Sequence, residues 1–261
     1  MSLLRVAIIG FFALGPIAWA DTVADAALAG PDPVAPRTTP ASFRPWPEVL
    51  NRYLAASQEQ QTRLHDSTME VQIEARLPRL KKEAQLHALR QITRVGQITY
   101  QAVRSAGDKM ALKEVVYNYL RAETEASKNG VENGKGKTAS ISITPENYKF
   151  KFRGTASYTG RPFYVIQVSP KKKRVGLFKG EIWVDAETFL PVRESGTFVK
   201  NPSVFLKKVQ FVREYELRNG IALPLKIQTR VDARIVGKAE LDINFSNYSV
   251  MAQARICPMG W

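Results

Sequence analysis

Residues 180–196 read GEIWVDAETFLPVRESG. A Trp, four carboxylates and a Pro stand between two short apolar runs. Two readings compete. Paired acids can carry out glycosidase chemistry, which makes Glu181, Asp185, Glu187 and Glu194 candidates. Alternatively the stretch is a strand, a turn begun by Asp185 and a returning strand opened by Pro191. Asp initiates turns because its carboxylate accepts a backbone N–H two residues on. The turn accounts for the order of the whole stretch, whereas the catalytic reading uses only a pair of acids. The expectation is therefore a hairpin. Trp183, Glu181 and Asp185 share one face of it, and the carboxylates face water or cap the turn.

Period-two patterning extends from this hairpin in both directions. Upstream, Tyr148, Phe150 and Phe152 alternate with Lys149, Lys151 and Arg153, and FYVIQVS follows. Downstream come VQFVREYEL, the turn Arg218-Asn219-Gly220 and LPLKIQTRV. The last long strand is ARIVGKAELDINFSNY, in which Ile235, Ala239, Leu241, Ile243 and Phe245 oppose polar residues. Nearer the N-terminus, Met69, Val71, Ile73, Ala75 and Leu77 alternate with Glu70, Gln72, Glu74 and Arg76. EAQLHALRQIT and QITYQAVR continue with looser alternation. Strands with one apolar and one wet face belong to antiparallel sheets.

Two helices interrupt the pattern. Trp46, Val49, Leu50, Tyr53 and Leu54 recur at i, i+3, i+4, i+7 and i+8, with Pro47 in the first turn, where its missing N–H is harmless. Asp108 can cap a second helix with the stripe Leu112, Val115, Val116, Tyr119 and Leu120. SKNGVENGKGKT after it reads as a mobile loop. About ten strands with short turns imply one α+β domain. Its antiparallel sheet is strongly curved, with two or more helices over the concave apolar face. Space left unfilled there would be a groove for an apolar ligand.

The chain of 261 residues is 44% hydrophobic, enough for one sizeable core. Its start has the form of a secretory signal: Arg5, an apolar run from Val6 to Ile17 and the small-x-small site Ala18-Trp19-Ala20. The expected organisation is a signal peptide over 1–20, a Pro-rich linker over 21–45, the domain over 46–250 and a C-terminal tail over 251–261. Residues 30–47 contain seven prolines and glycines, too closely spaced for helix or central strand. Export would place the mature chain outside the cytoplasm. The formal charge is +14, which falls to +13 once Arg5 leaves with the signal. In that compartment an anionic membrane surface or an acidic envelope protein is the expected counterpart, not nucleic acid. The densest basic stretch, PKKKRVGLFKG, makes Lys171, Lys172, Lys173 and Arg174 a candidate basic rim, with Lys207 and Lys208 as further members. Cys257 is the only cysteine, so an intramolecular disulfide is impossible and the fold must stand on its core.

Enzyme and cofactor signatures are weak. GKGKT at 134–138 lacks the earlier Gly of a phosphate loop, with Val131 in its place. His65 and His87 are the only histidines and have no metal-ligand spacing. No G-x-S-x-G occurs. The expectations are no catalytic residue, no metal and no cofactor. Replacing Asp185 and Glu187 would test the enzyme alternative.

The block from Phe150 to Gly196 resembles the LolA-like superfamily of periplasmic lipoprotein carriers and outer-membrane lipoprotein-sorting proteins. The carrying features are Phe152-x-Gly154, Pro170-Lys171, and Ile182-Trp183-Val184-Asp185 with Pro191 six residues on. Asn219-Gly220 with Leu223-Pro224 and the closing Asn247-Tyr248 continue the pattern, so that the resemblance covers roughly residues 46–250. It implies a half-open β-barrel whose hydrophobic cavity takes acyl chains. The function implied is an exported, periplasmic, non-enzymatic, monomeric carrier of a lipid or of lipoprotein acyl chains. The alternative is an RseB-like envelope sensor or protein-interaction module on the same fold. Candidate cavity residues are Leu50, Leu54, Val71, Ile73, Leu86, Val116, Leu120, Phe150, Tyr164, Phe198, Phe211, Leu241 and Ile243.

Overall fold

The computed structural model describes residues 44–132, 142–158, 160–201, 206–234 and 237–250. The signal, all but the last two residues of the linker, the GKGKT segment, Ile235 and the tail with Cys257 lie outside them. The elements are α1 (Trp46–Arg63), β1 (Ser67–Leu77), β2 (Lys82–Ile92), β3 (Ile98–Gly107), α2 (Lys109–Ala111), a π-helical turn (Leu112–Val116) and α3 (Tyr117–Glu132). Seven strands follow: β4 (Tyr148–Tyr158), β5 (Arg161–Pro170), β6 (Phe178–Asp185), β7 (Pro191–Phe198), β8 (Leu206–Arg218), β9 (Ile221–Ala233) and β10 (Gly237–Val250).

All ten strands form one sheet in the order β3-β2-β1-β10-β9-β8-β7-β6-β5-β4. Each neighbouring pair is antiparallel. β4 to β10 is a meander, and β1 then adds to β10, with Val71 opposite Phe245 and Ile73 opposite Ile243. β3 and β4 are the free ends, so the sheet is a half-open barrel and not a closed one. Edges invite further pairing. On β4, Lys149, Lys151 and Arg153 are exposed, and a bulge interrupts the register between Phe152 and Gly154.

Two apolar clusters share one face of this sheet. The first joins the inward residues of β1, β2 and β10 to Ala111, Val115, Val116, Tyr119 and Leu120 of the second helical segment. The second joins β4 to β7 to Val49 and Tyr53 of α1. Val209 belongs to the first and Phe211 to the second. Being two residues apart on β8, they point to the same side. Phe198 packs against both clusters.

The helices form where the sequence predicts, for the reasons it predicts. Pro47 falls within the first turn of α1. The Asp108 carboxylate accepts from the N–H groups of Met110 and Ala111 at 2.9 and 3.0 Å, which satisfies two of the orphan donors of a helix start. The far end of α1 is fixed to the sheet by Gln60. Its side-chain amide donates to the Ala222 carbonyl at 2.6 Å and accepts from the Ala222 N–H at 3.0 Å. A buried glutamine thus stands in for a neighbouring strand.

Two local expectations are corrected. SKNGVENGKGKT is not all loop, because α3 continues to Glu132. Ser127 is buried and its hydroxyl accepts from the Ile98 N–H at 2.9 Å, so tertiary anchoring extends the helix into the polar segment. The last strand also does not run unbroken from Ala233. β9 ends there and β10 begins at Gly237, whose φ is +76°, a conformation that favours glycine.

Replacing Gln60 by Leu leaves both backbone groups of Ala222 buried without their partner. Each such group costs roughly 1–3 kcal/mol. Urea unfolding of Gln60→Leu is expected to show a loss of about 3 kcal/mol, and amide exchange in α1 to accelerate. An unchanged midpoint would show that the amide does not hold the helix.

Candidate ligand-binding face

The 178–198 hairpin forms as expected, with Pro191 opening β7. Asp185 Oδ1 accepts from the Thr188 N–H at 2.8 Å, the Glu187 N–H at 3.2 Å and the Thr188 hydroxyl at 2.9 Å. Its other oxygen lies 3.4 Å from an Arg161 amine. The carboxylate is committed to the turn, and Glu187 is exposed. Trp183 is on the outer face, its ring 6.4 Å from that of Phe163.

Glu194 departs from the expectation that these carboxylates face water or cap the turn. It is buried, with Oε2 accepting from the Tyr215 hydroxyl at 3.0 Å and from Arg213 Nη1 at 3.4 Å. β7 places Glu194 opposite Arg213, in line with inward Ile182 on β6. Arg213 also lies over the Phe211 ring, 5.3 Å from its centroid. Burial pushes the Glu194 carboxyl above the ordinary carboxylate range, against the opposing pull of Arg213 and Tyr215.

A second buried group stands beside it. Arg90 of β2 donates through two nitrogens to Glu123 Oε1 on α3, at 2.8 and 3.2 Å, and the Tyr100 hydroxyl donates to Glu123 Oε2. The side-chain exposures are 2% for Arg90 and 0% for Glu123. Burial raises the Glu123 carboxyl too, opposed first by Arg90 and then by Arg213. Tyr119 lies within the fields of both guanidinium groups. Its hydroxyl is buried and has no hydrogen-bond partner among the described residues. Tyr53 of α1 and Tyr148 of β4 lie within the field of Glu194. The centre of the covered face is therefore polar, between two apolar flanks.

The sequence candidates distribute over those flanks. Leu50 and Leu54 of α1 and Phe150, Tyr164, Phe198 and Phe211 of the sheet meet in the cluster between them, with Phe198 reaching both clusters. Val71, Ile73, Leu86, Leu241 and Ile243 of the sheet meet Val116 and Leu120 of the other helical segment. Aromatic contacts tie the α1 half together: Trp46 on Phe152 at 5.5 Å, Tyr148 on Phe178 at 5.2 Å and Phe198 on Phe211 at 5.2 Å. In the basic stretch Lys171, Lys172 and Lys173 are exposed. Arg174 instead turns back to donate to Asn147 Oδ1. His87 is exposed on the outer face, and among the described residues no three metal-ligating side chains converge. Where β9 and β10 part beyond Lys226 and Asn244, a small open surface pocket of about 40 Å³ is lined by Leu223, Leu225, Phe245 and Tyr248 among others. None of the sequence candidates lines it.

Of the central polar residues the sequence offered only Glu194, and as a hairpin acid; Arg90, Glu123 and Arg213 were not picked out. The signal that could have found them is a charge at an inward parity position. Arg90 continues the series Ala84, Leu86, Ala88. Arg213 follows Val209 and Phe211. Glu123 lies four residues after Tyr119.

A family model described as an uncharacterized protein matches residues 139–250. No curated protein matches the chain. Among solved structures it is similar to a DUF1329 family protein from Desulfovibrio piger, at 16% identity and a TM-score of 0.36, with 77% of this chain and 92% of that one covered. It is similar to a LolA superfamily protein from Nitrosomonas europaea, at 10% identity and a TM-score of 0.35, with 78% and 94% covered. An outer membrane lipoprotein-sorting protein domain from Vibrio parahaemolyticus gives 11% identity and a TM-score of 0.35, with 75% and 91% covered.

Two outcomes are expected of the hairpin acids. Asp185→Ala removes three accepted hydrogen bonds from one turn and lowers stability by about 2 kcal/mol, measured by chemical unfolding, while Glu187→Ala changes it by less than about 0.5 kcal/mol. Glu194 has a raised carboxyl pKa in the folded state. Its contribution to stability is therefore full below its unfolded value near 4.5 and is lost as the pH rises through the raised value. Glu194→Gln carries no such proton. The stability of wild type relative to Glu194→Gln should fall as the pH rises above about 4.5, and a constant or rising difference would contradict the burial argument.

Proposed function

We propose that the chain is an exported, non-enzymatic carrier. It would bind a lipid, or the acyl chains of a lipoprotein, between the sheet and α1, for transfer to or within the cell envelope. The observation that supports this most directly is the pair of separate apolar clusters on one face of an unclosed sheet, each covered by its own helical segment. One cover can move without unpacking the other. Among the described residues no helix is long and apolar enough to cross a membrane.

The two covers are held unequally. α3 is tied down by the buried Arg90–Glu123 pair, and breaking such a pair strands a charge at a cost of about 3–5 kcal/mol. The polar ties of α1 and its N-terminal flank include no buried ion pair among the described residues: the Gln60 amide bonds Ala222, the Arg44 N–H donates to the Tyr164 hydroxyl at 3.2 Å, and the exposed Arg63 guanidinium donates to the Gly220 carbonyl at 3.2 Å. α1 is thus the cover that moves, and Leu50, Leu54, Phe150, Tyr164, Phe198 and Phe211 are the surface an acyl chain would meet. Each methylene withdrawn from water is worth roughly 0.8 kcal/mol. A chain of about twelve methylenes supplies on the order of 10 kcal/mol, enough to offset the displacement of a helix whose apolar side chains re-pack on the ligand. The exposed Lys171, Lys172 and Lys173 would meet an anionic membrane surface or an acidic envelope protein at the ends of the transfer.

Native mass spectrometry of the mature chain purified from its envelope fraction should show a bound amphiphile. A disulfide engineered between α1 and the sheet should abolish uptake of a fluorescent acyl probe, and reduction should restore it. Uptake that is indifferent to the cross-link, with no co-purifying amphiphile, overturns the reading. A stable protein partner recovered instead by reversible cross-linking would indicate a sensor.

A further inference from the structure

We infer that the ligand of this face is an acidic amphiphile, whose anionic oxygen headgroup takes the place of the Glu194 carboxylate on Arg213 and Tyr215. This rests on the proposed carrier reading and names the ligand class for the same site.

Three observations carry it. First, the polar centre adjoins the inner end of the apolar cluster under α1. Arg213 lies over Phe211, one of that cluster's rings, and Glu194 is within the field of Tyr53 on α1. A chain lying under α1 would bring its head to these residues. Second, Arg213 approaches Glu194 through Nη1 at 3.4 Å while its buried Nε has no hydrogen-bond partner among the described residues, whereas Arg90 donates to Glu123 through both Nε and Nη2 at 3.2 and 2.8 Å. Arginine meets carboxylate or phosphate best through two parallel bonds, so Arg213 is the weaker-matched of the two and the one open to exchange. Third, the Tyr119 hydroxyl is buried, unpartnered among the described residues and within the field of Arg213. Buried hydroxyls are normally hydrogen-bonded, and an oxyanion on Arg213 would give this one an acceptor.

Charge balance fixes the consequence. The groups facing one another are Arg90, Tyr100, Tyr119, Glu123, Tyr148, Glu194, Arg213, Tyr215 and Tyr53. With both carboxylates ionised, two guanidinium groups balance two acids. An incoming anion upsets that balance in a buried site unless a proton enters with it. Glu194 takes the proton: its carboxylate leaves Arg213 and becomes a neutral acid, while the ligand's oxygens accept from Arg213, Tyr215 and Tyr119. Burial already favours the protonated form of Glu194. Uptake of the anion is therefore coupled to uptake of one proton, and affinity falls as the pH rises.

The test is competition against a neutral fluorescent acyl probe by three single-chain lipids with the same palmitoyl chain: palmitate, palmitoyl glycerol phosphate and monopalmitoyl glycerol. The acidic lipids should bind at least about tenfold tighter than the neutral glycerol ester near pH 6, with the advantage shrinking several-fold by about pH 8. Glu194→Gln should strengthen binding of the acidic lipids near pH 8 and flatten their pH dependence. Tyr119→Phe should reduce the acidic-to-neutral ratio. Whichever of palmitate and the phosphate binds more tightly identifies the headgroup. If acidic and neutral lipids bind alike in wild type at every pH, the headgroup inference fails and the carrier reading stands. If none displaces the probe and no acyl chain binds, the carrier reading itself fails. Should Glu194→Gln not fold, the wild-type pH series decides alone.

Discussion

The pairing of β1 with β10 is the constraint on which the remaining architecture depends. It joins the first strand to the last, from Ser67 opposite Val250 to Arg76 opposite Glu240. Every other strand contact is between sequence neighbours. Without this pairing the chain would be a three-stranded meander and a seven-stranded one, each with apolar residues and an edge exposed. A contact between strands so distant in sequence is entropically costly to close. The alternation of Met69, Val71, Ile73, Ala75 and Leu77 against Ala239, Leu241, Ile243 and Phe245 specifies its register, because a one-residue slip would turn every apolar side chain outward.

Joining the two meanders creates one long face, and two helices divide it. α1 enters from the N-terminal side and covers β4 to β7, which follow it late in sequence. The second helical segment lies between β3 and β4 in the chain and covers β1 and β2 beside it. Each cover is thus connected to the sheet by different stretches of chain, which permits one to shift alone. The different tethers then matter. A hydrogen-bonded amide can exchange its partners for water at modest cost, whereas a buried ion pair cannot.

Much of this was legible in the sequence because it rests on periodicity. The alternation in β1, the stripe at Leu112 to Leu120, the cap at Asp108 and the Asp185 turn each state a local rule that the fold obeys. What was not legible arises from tertiary override. Gln60, Arg90, Glu123, Glu194 and Arg213 are polar types that usually face water, and only the partner across the sheet or on the opposing helix makes their burial tolerable. The extension of α3 to Glu132 has the same origin, since Ser127 is fixed by the Ile98 backbone and not by local propensity. The apolar candidates fell on the covered face because parity assigns faces well. Their division between the two clusters depends on the strand order, which parity does not contain.

The cost of the polar centre argues for a role beyond cohesion. Replacing a buried ion pair by well-packed apolar residues is often neutral or stabilising, and the sheet on both sides of Glu194 and Arg213 is already apolar. An all-hydrophobic centre would let any acyl chain slide through at any depth. In the proposed carrier a guanidinium and hydroxyl groups at one point would give the face a fixed end, against which a ligand's head would register while its chain lay along α1. The carboxylate keeps that cation compensated while the face is closed. The same residues would then stabilise the unloaded form, fix the position of a loaded ligand and, through one proton, favour release where the pH is higher.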